Sequence, residues 1–106
     1  MLYIAHRGYS LKYKDNTVAG IREAIRRNYD GVEIDVQLCK DDKLVLYHDI
    51  YIDNMFVSDL TCKELSLKGV YSLQELYQKV PELQETLLIV DIKGNNINQE
   101  ATIIGT

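Results

Sequence analysis

The order of apolar and polar positions along the 106-residue chain predicts strands and helices in alternation. Short apolar runs at residues 2–5, 32–38 and 87–92 have the length and composition of buried strands. Between them lie two segments with apolar residues at helical spacing, each beginning at a capping residue. Alternation of this kind predicts an α/β fold with parallel strands joined by crossover connections.

The two predicted helices are defined by their ends. Asn16 or Thr17 caps the first helix, whose buried side carries apolar residues up to Ile25. Asn28 and Gly31 then supply the signal that ends this helix. The second helix begins at the sequence Ser72-Leu73-Gln74-Glu75, which has the pattern of a capping box, and ends at Pro81.

The remaining segments are less regular. Residues 40–43 form a polar turn, and residues 44–47 resume an extended pattern. Residues 50–70 show no clean period and are interpreted as an irregular insertion. At the end of the chain, residues 94–96 are predicted as a turn and residues 99–104 as the start of another helix.

Both histidines of the chain and several charged residues gather at the ends of predicted strands. They occur in four motifs: Ile4-Ala5-His6-Arg7-Gly8, Val32-Glu33-Ile34-Asp35-Val36, Leu46-Tyr47-His48-Asp49 and Val90-Asp91-Ile92-Lys93. Because alternate side chains of a strand share a face, Glu33 and Asp35 project together, and so do Asp91 and Lys93.

Two carboxylates held side by side repel each other unless a cation or a shared proton lies between them, so the pair favours a divalent metal with oxygen ligands. Two nearby histidines supply acid–base chemistry close to neutral pH. The pattern therefore predicts a metal-assisted hydrolase site.

Each motif also has a purely structural interpretation. His6 alone fits a buried structural histidine, and Glu33 with Asp35 fits surface charges on an edge strand. His48-Asp49 fits a hydrogen-bonded turn, and Asp91 with Lys93 fits a plain salt bridge. The functional interpretation is preferred because the motifs recur at successive strand ends and the carboxylate pair lies within an apolar strand.

The composition limits which binding partners and which cellular compartment we expect for the protein. A formal net charge of -4 argues against binding nucleic acid through bulk charge, although a local cation in the site can still attract a phosphate ester. No apolar run approaches the length of about 18 residues that spans a bilayer. The two cysteines, Cys39 and Cys62, follow no secretory segment, so we expect free thiols and a cytoplasmic protein.

The order of the motifs resembles the glycerophosphodiester phosphodiesterase family. His-Arg-Gly is followed by Asp-Asn-Thr at a helix start, then by Glu-Ile-Asp-Val and His-Asp, and the resemblance runs from His6 to Lys93. It implies a (β/α)8 barrel with the site at the carboxyl ends of the strands, where the motifs of this chain lie.

The resemblance also implies a role for each site residue. His6 and His48 would be the acid–base pair. Arg7 and Lys93 would contact the substrate phosphate. A divalent cation, calcium or magnesium, would be held by three carboxylates, those of Glu33, Asp35 and Asp91.

The chain departs from the family pattern in two places within the motifs. The family usually has a glutamate at the position of Asp91, so the carboxylate here reaches one methylene less far. The family also usually shows Pro-Glu-Asn-Thr where this chain has Lys14-Asp15-Asn16-Thr17, which shortens an acid and removes a proline. Neither departure removes a residue type that the chemistry needs.

The third departure is length, because a barrel of this class typically needs about 250 residues. We interpret residues 1–106 as the N-terminal portion of such a barrel, with about three β/α units and the insertion near residues 50–70 after the second strand. A partial barrel leaves a strand edge open, and a homo-oligomer that covers this edge is one arrangement the sequence allows.

Two functional hypotheses follow. The first is metal-dependent hydrolysis of a glycerophosphodiester to sn-glycerol 3-phosphate and an alcohol by the two histidines, with lysophospholipase D or sphingomyelinase D-like activity as related possibilities. The second is a barrel fragment that self-associates and binds metal or phosphate without turnover. Product release with and without calcium or magnesium discriminates between them.

Overall fold

The computed structural model describes residues 1–93 and the backbone of residues 101–104. The strands are β1 (Ile4–His6), β2 (Gly31–Leu38), β3 (Leu44–Leu46), β4 (Tyr51–Ile52), β5 (Met55–Phe56), β6 (Leu87–Ile92) and β7 (Ala101–Ile104). The helices are α1 (Val18–Arg26), α2 (Cys62–Leu67) and α3 (Leu73–Lys79), with 3-10 turns at Val57–Asp59 and Pro81–Glu85. The predicted turn at residues 94–96 lies outside the described residues.

The main sheet has the order β1-β2-β6-β7, and β3 also pairs with β2. Strands β1, β2 and β6 are parallel, as the alternation of strands and helices predicts. Strand β3 pairs antiparallel with the last residues of β2, where β1 has already ended. The fold is therefore α/β with a parallel sheet at its centre.

The main core lies where α1 and α3 pack against this sheet. Ile21 and Ala24 of α1 and Leu76 of α3 are fully buried together with apolar residues of β2 and β6. Strand β2 is apolar on its helix-facing side at Ile34 and Val36, which leaves its alternate positions free to carry polar side chains. A second, smaller core under residues 50–70 includes Val57 and Leu65.

The helices begin at the residues that the sequence indicates. Thr17, and not Asn16, caps α1, because its hydroxyl accepts a hydrogen bond from Gly20 N. The hydroxyl of Ser72 accepts one from Glu75 N at 3.0 Å and caps α3. Such caps satisfy backbone donors that the first helical turn leaves free.

Residues 50–70 are more regular than the sequence interpretation allowed. Strands β4 and β5 form a hairpin whose two connecting residues, Asp53 and Asn54, both have positive φ, as a tight primed turn requires. Helix α2 begins at a full capping box made by Thr61 and Glu64. Both signals are local and too short to produce a visible period.

The prediction of a helix over residues 99–104 is wrong where the structure describes the segment. Ala101–Ile104 is strand β7, which pairs antiparallel with β6 in the register Leu88–Ile104 to Asp91–Ala101. The edge of β6 offers unpaired backbone donors and acceptors, and the β-branched residues Thr102, Ile103 and Ile104 suit a strand. Pairing with the sheet edge therefore outweighs the weak helical pattern.

The first strand is shifted relative to the predicted residues 2–5. It covers Ile4–His6, because the backbone of Tyr3 forms hydrogen bonds outside the sheet. The N–H of Tyr3 donates to the Asp30 carboxylate at 2.7 Å, and its carbonyl accepts from Asp30 N. Within the described residues, no helix is long and apolar enough to cross a membrane. Cys39 and Cys62 are free thiols near the second core.

Candidate active site

The register of the parallel strands brings three carboxylates together. Asp35 of β2 lies opposite Asp91 of β6, and Glu33 precedes Asp35 by two residues on the same face. One oxygen atom from each of these three side chains lies within 4.8 Å of the others. The three residues that the resemblance assigns to a metal therefore meet at one place.

These carboxylates are partly withdrawn from water and incompletely satisfied. The side chain of Asp35 is 1% exposed and that of Glu33 is 17% exposed. Glu33 Oε1 and Asp35 Oδ1 are buried and have no hydrogen-bond partner in the part of the chain that the structure describes. Burial, reinforced by the charge of Asp35, raises the pKa of Glu33 above its ordinary value. Buried, unpartnered oxygen ligands of like charge are the donor set that a hard divalent cation satisfies.

Two basic side chains border the carboxylates. Arg7 Nε lies 3.0 Å from Asp35 Oδ2, and its Nη1 lies 3.1 Å from Asp15 Oδ2. Lys93 Nζ lies 2.7 Å from Asp91 Oδ2, and this hydrogen bond raises the pKa of Lys93. Both cations are thus held beside the acidic cluster, and guanidinium and ammonium groups are donors that can bind an oxyanion.

The position of Arg7 depends on a reversal of the chain immediately after β1. Arg7 has a φ of 58° and Gly8 a φ of 86°, so two successive residues are in the left-handed region. A Cβ at Gly8 would also lie 3.0 Å from the carbonyl carbon of Gly20 in α1. Only glycine fits there without strain, and the close approach aims Arg7 at Asp35.

The two histidines have different surroundings. His6, at the last position of β1, is opposite Glu33 in the sheet register, and its Nε2 lies 3.6 Å from Glu33 Oε2. The Nδ1 atom of His48 is 2.6 Å from Asp49 Oδ1. His48 lines one cavity together with Lys93 and a second cavity together with Arg7. Both imidazoles remain accessible, with side-chain exposures of 65% for His6 and 43% for His48.

Two buried amides complete the site and were not predicted as site residues. Asn16 is 5% exposed and has a φ of 58°; its Nδ2 donates to Asp35 Oδ2 at 3.0 Å, and its Oδ1 accepts from Asp35 N at 3.0 Å. Asn16 therefore fixes both the backbone and the carboxylate of Asp35.

Gln37 is the second of these amides. It is 2% exposed, and its Nε2 donates to the carbonyls of Tyr47 and Asp49, at 3.0 and 2.7 Å, on either side of His48. It therefore anchors the loop that carries this histidine. The alternation Glu33, Asp35, Gln37 is a sequence signal that Gln37 faces the site.

Comparison with known proteins gives a consistent family assignment. Residues 6–103 match the model of the glycerophosphoryl diester phosphodiesterase family. The chain is 36% identical over 107 residues to a glycerophosphodiester phosphodiesterase of Caldanaerobacter subterraneus subsp. tengcongensis, an alignment that covers 93% of this chain and 44% of that protein. It is 31% identical over 111 residues to human glycerophosphodiester phosphodiesterase 1, covering 87% and 34%.

Solved structures give the same result for the fold. The crystal structure of glycerophosphodiester phosphodiesterase from Thermotoga maritima matches with a TM-score of 0.76 and 32% identity, over 89% of this chain and 45% of that one. A phosphodiesterase of Oleispira antarctica in complex with sn-glycerol-3-phosphate matches with a TM-score of 0.75 and 27% identity, over 88% and 44%. The chain thus spans between about a third and a half of the length of these four proteins, and a partial barrel fits this coverage.

Proposed function

Because the chain belongs to the glycerophosphoryl diester phosphodiesterase family, we propose that it hydrolyses glycerophosphodiesters to sn-glycerol 3-phosphate and an alcohol. One observation carries the proposal: in the parallel register of β1, β2 and β6, three carboxylates lie beside Arg7 and Lys93. We further propose that residues 1–106 are the N-terminal portion of a (β/α)8 barrel with three β/α units, built on these three strands.

In this proposal, Glu33, Asp35 and Asp91 hold a divalent cation, calcium or magnesium. The fit rests on the two buried carboxylate oxygens that have no partner within residues 1–93, and on a donor set made only of oxygen atoms. When bound, such a cation supplies Lewis-acid stabilisation of charge on the phosphate. Its charge would also offset the burial and the like charge of Asp35, which together raise the pKa of Glu33.

Arg7 and Lys93 orient the phosphate. Each basic group is anchored by one site carboxylate, Arg7 by Asp35 and Lys93 by Asp91. Fixed donors of this kind stabilise the negative charge that develops on the non-bridging oxygens during hydrolysis, and they do so without reorganising. Arg7 presents a planar fork that matches two phosphate oxygens.

His6 and His48 move the protons. One imidazole takes a proton from the attacking water as its oxygen bonds to phosphorus, and the other gives a proton to the alcohol oxygen as the phosphorus–oxygen bond breaks. The contact of His48 Nδ1 with Asp49 orients the ring and leaves Nε2 for this transfer. Glu33, 3.6 Å from His6, orients the other ring.

The test is release of sn-glycerol 3-phosphate from a glycerophosphodiester by the purified chain, with calcium or magnesium present. We expect His6→Ala and His48→Ala each to lower kcat by about 100-fold or more, the usual contribution of a general acid or base. Circular dichroism and cation binding of both variants should match the unsubstituted chain. Full activity in either variant would remove that histidine from the mechanism.

The alternative is a chain that binds a cation or phosphate without turnover and covers an open sheet edge by self-association. Strand β7 already pairs with one side of β6 within the described chain, so that edge does not need a second copy. A folded, cation-binding oligomer that releases no sn-glycerol 3-phosphate would establish this alternative. Sedimentation measured beside the activity assay separates the two.

A further inference from the structure

The segment that carries His48 lies beyond the regular hydrogen bonding of the sheet. Strand β3 ends before residues 47–49, which have no strand partner in the part of the chain that the structure describes. The carbonyls of Tyr47 and Asp49 accept hydrogen bonds from one side-chain nitrogen, Gln37 Nε2, at 3.0 and 2.7 Å. An amide nitrogen has two N–H donors, so it serves both carbonyls at once. The position of His48 therefore depends on a single side chain of β2.

The burial of Gln37 and its place in the sheet suit it to this support. It is 2% exposed and lies on β2, the strand to which β1, β3 and β6 are all hydrogen-bonded. A buried donor that loses its acceptor carries a desolvation cost, so the two hydrogen bonds hold the segment in one arrangement. Supports built on strands position a functional group more precisely than supports built on loops.

The same stretch of β2 also fixes the backbone of Lys93. The N–H of Lys93 donates to the carbonyl of Val36 at 2.7 Å, and Val36 directly precedes Gln37. His48 and Lys93 line one cavity of about 470 Å³. Two successive residues of β2 therefore hold the two segments that bring an imidazole and an ammonium group to the same cavity.

We propose that Gln37 is a positioning residue, which holds His48 at the distance from the substrate that proton transfer requires. The inference rests on the proposed function, because it takes His48 to be one of the two groups that transfer protons. Gln37 exchanges no proton itself and acts through the main chain on either side of His48. Proton transfer needs the two heavy atoms at hydrogen-bonding distance, and a displacement of about 1 Å costs about 100-fold in rate.

The kinetic experiment uses Gln37→Met, which nearly keeps the shape of the side chain and removes both donors. With glycerophosphoglycerol as substrate and magnesium present, we expect kcat to fall about 10- to 100-fold and KM to change by less than about 3-fold. The split is expected because the groups that bind the cation and the phosphate are unchanged. Gln78→Met is the matched control, since Gln78 is exposed on α3, and it should leave both parameters unchanged.

A double-mutant cycle separates positioning from a general effect on the fold. In the His48→Ala chain no imidazole remains to be positioned, so adding Gln37→Met should lower kcat by less than about 2-fold. An equal loss of kcat with and without His48 would overturn the inference, because Gln37 would then support the fold alone. If Gln37→Met does not fold, Gln37→Glu takes its place in the cycle: it keeps the size of the side chain and has no N–H donor while ionised.

Nitrogen NMR of the imidazole rings provides a readout that does not need turnover. The chain has two histidines, so comparison with His48→Ala assigns the signals of His48. At alkaline pH, where imidazoles are neutral, we expect the tautomer of His48 with its proton on Nδ1, the atom that lies 2.6 Å from Asp49 Oδ1. Gln37→Met should give a mixture of tautomers or broadened signals for His48 and leave the signals of His6 in place.

The two readouts distinguish failure of this inference from failure of the proposed function. A change confined to the His48 signals supports the positioning role even if no chain hydrolyses the diester, in which case the proposed function alone fails. Unchanged His48 signals in a folded Gln37→Met chain would overturn the positioning role while leaving any measured hydrolysis in place.

Discussion

The carboxylates of this chain exist in two contrasting environments. On α1, both oxygens of Glu23 accept hydrogen bonds, from Arg26 Nε at 2.9 Å and from Arg27 Nε at 2.7 Å, and these partners lower the pKa of Glu23 to about 2. In the acidic cluster of the sheet, burial and the like charge of Asp35 raise the pKa of Glu33, and one of its oxygens has no partner among the described residues.

This comparison separates a carboxylate whose ion pairs stabilise the fold from carboxylates whose charge the protein leaves uncompensated. An acid surrounded by arginines one turn away is stabilised by its own helix. A carboxylate that has other carboxylates as neighbours is destabilised unless a cation binds. Groups of like charge of this kind are found mainly at functional sites. Substitutions on each side of the contrast should therefore have opposite effects on stability.

The largest effect on stability is expected for substitution of Asn16, whose side chain forms hydrogen bonds with Asp35. Asn16→Ala leaves the N–H and carboxylate of a buried acid without these bonds, which costs about 1–3 kcal/mol of unfolding free energy. Asn28→Ala is the matched control, because Asn28 also has a positive φ, of 60°, but is exposed at the end of α1. The unfolding free energies of both variants, measured in urea, separate the contribution of the Asn16 side-chain hydrogen bonds from the contribution of backbone strain. Equal losses in the two would mean that Asn16 serves only the backbone turn.

A smaller effect of opposite sign is expected at Glu33. Glu33→Gln keeps the shape of the side chain, removes one charge from the cluster and adds a donor, so the cation-free chain should gain about 0.5–2 kcal/mol of stability. The same variant should bind calcium or magnesium more weakly. Thermal unfolding in a chelating buffer measures the gain, and a loss of stability there would contradict the repulsion argument.

The smallest effect is expected at Glu23 and appears only in acid. Because the folded-state pKa of about 2 lies below the ordinary value of 4.5, the ion pairs stabilise the fold above pH 4.5, and this contribution is lost as the pH falls toward 2. Thermal midpoints of the unsubstituted chain and of Glu23→Gln should converge over this range. A difference that stays constant down to pH 2 would show that the pairs do not contribute.

The sequence predicted which acidic side chains lie together better than it predicted what surrounds them. Alternation along β2 was enough to place Glu33 and Asp35 on one face, and the parallel arrangement then brought Asp91 beside them. Asn16 was missed because its role depends on a left-handed backbone and on a contact 19 residues away, neither of which leaves a periodic signal. Strand β7 was predicted as a helix because pairing with a sheet edge is a tertiary effect.

The most direct test of the acidic cluster is the thermal midpoint of the chain in calcium or magnesium compared with a chelating buffer, for the unsubstituted chain and for Asp35→Asn. A cation present at a hundred times its dissociation constant stabilises the folded state by about 2.7 kcal/mol. We predict a clear rise in the midpoint for the unsubstituted chain and none for Asp35→Asn, which keeps the shape of the site but loses its most buried charge. An equal rise in both proteins, or no rise in either, would contradict a cation site at Glu33, Asp35 and Asp91.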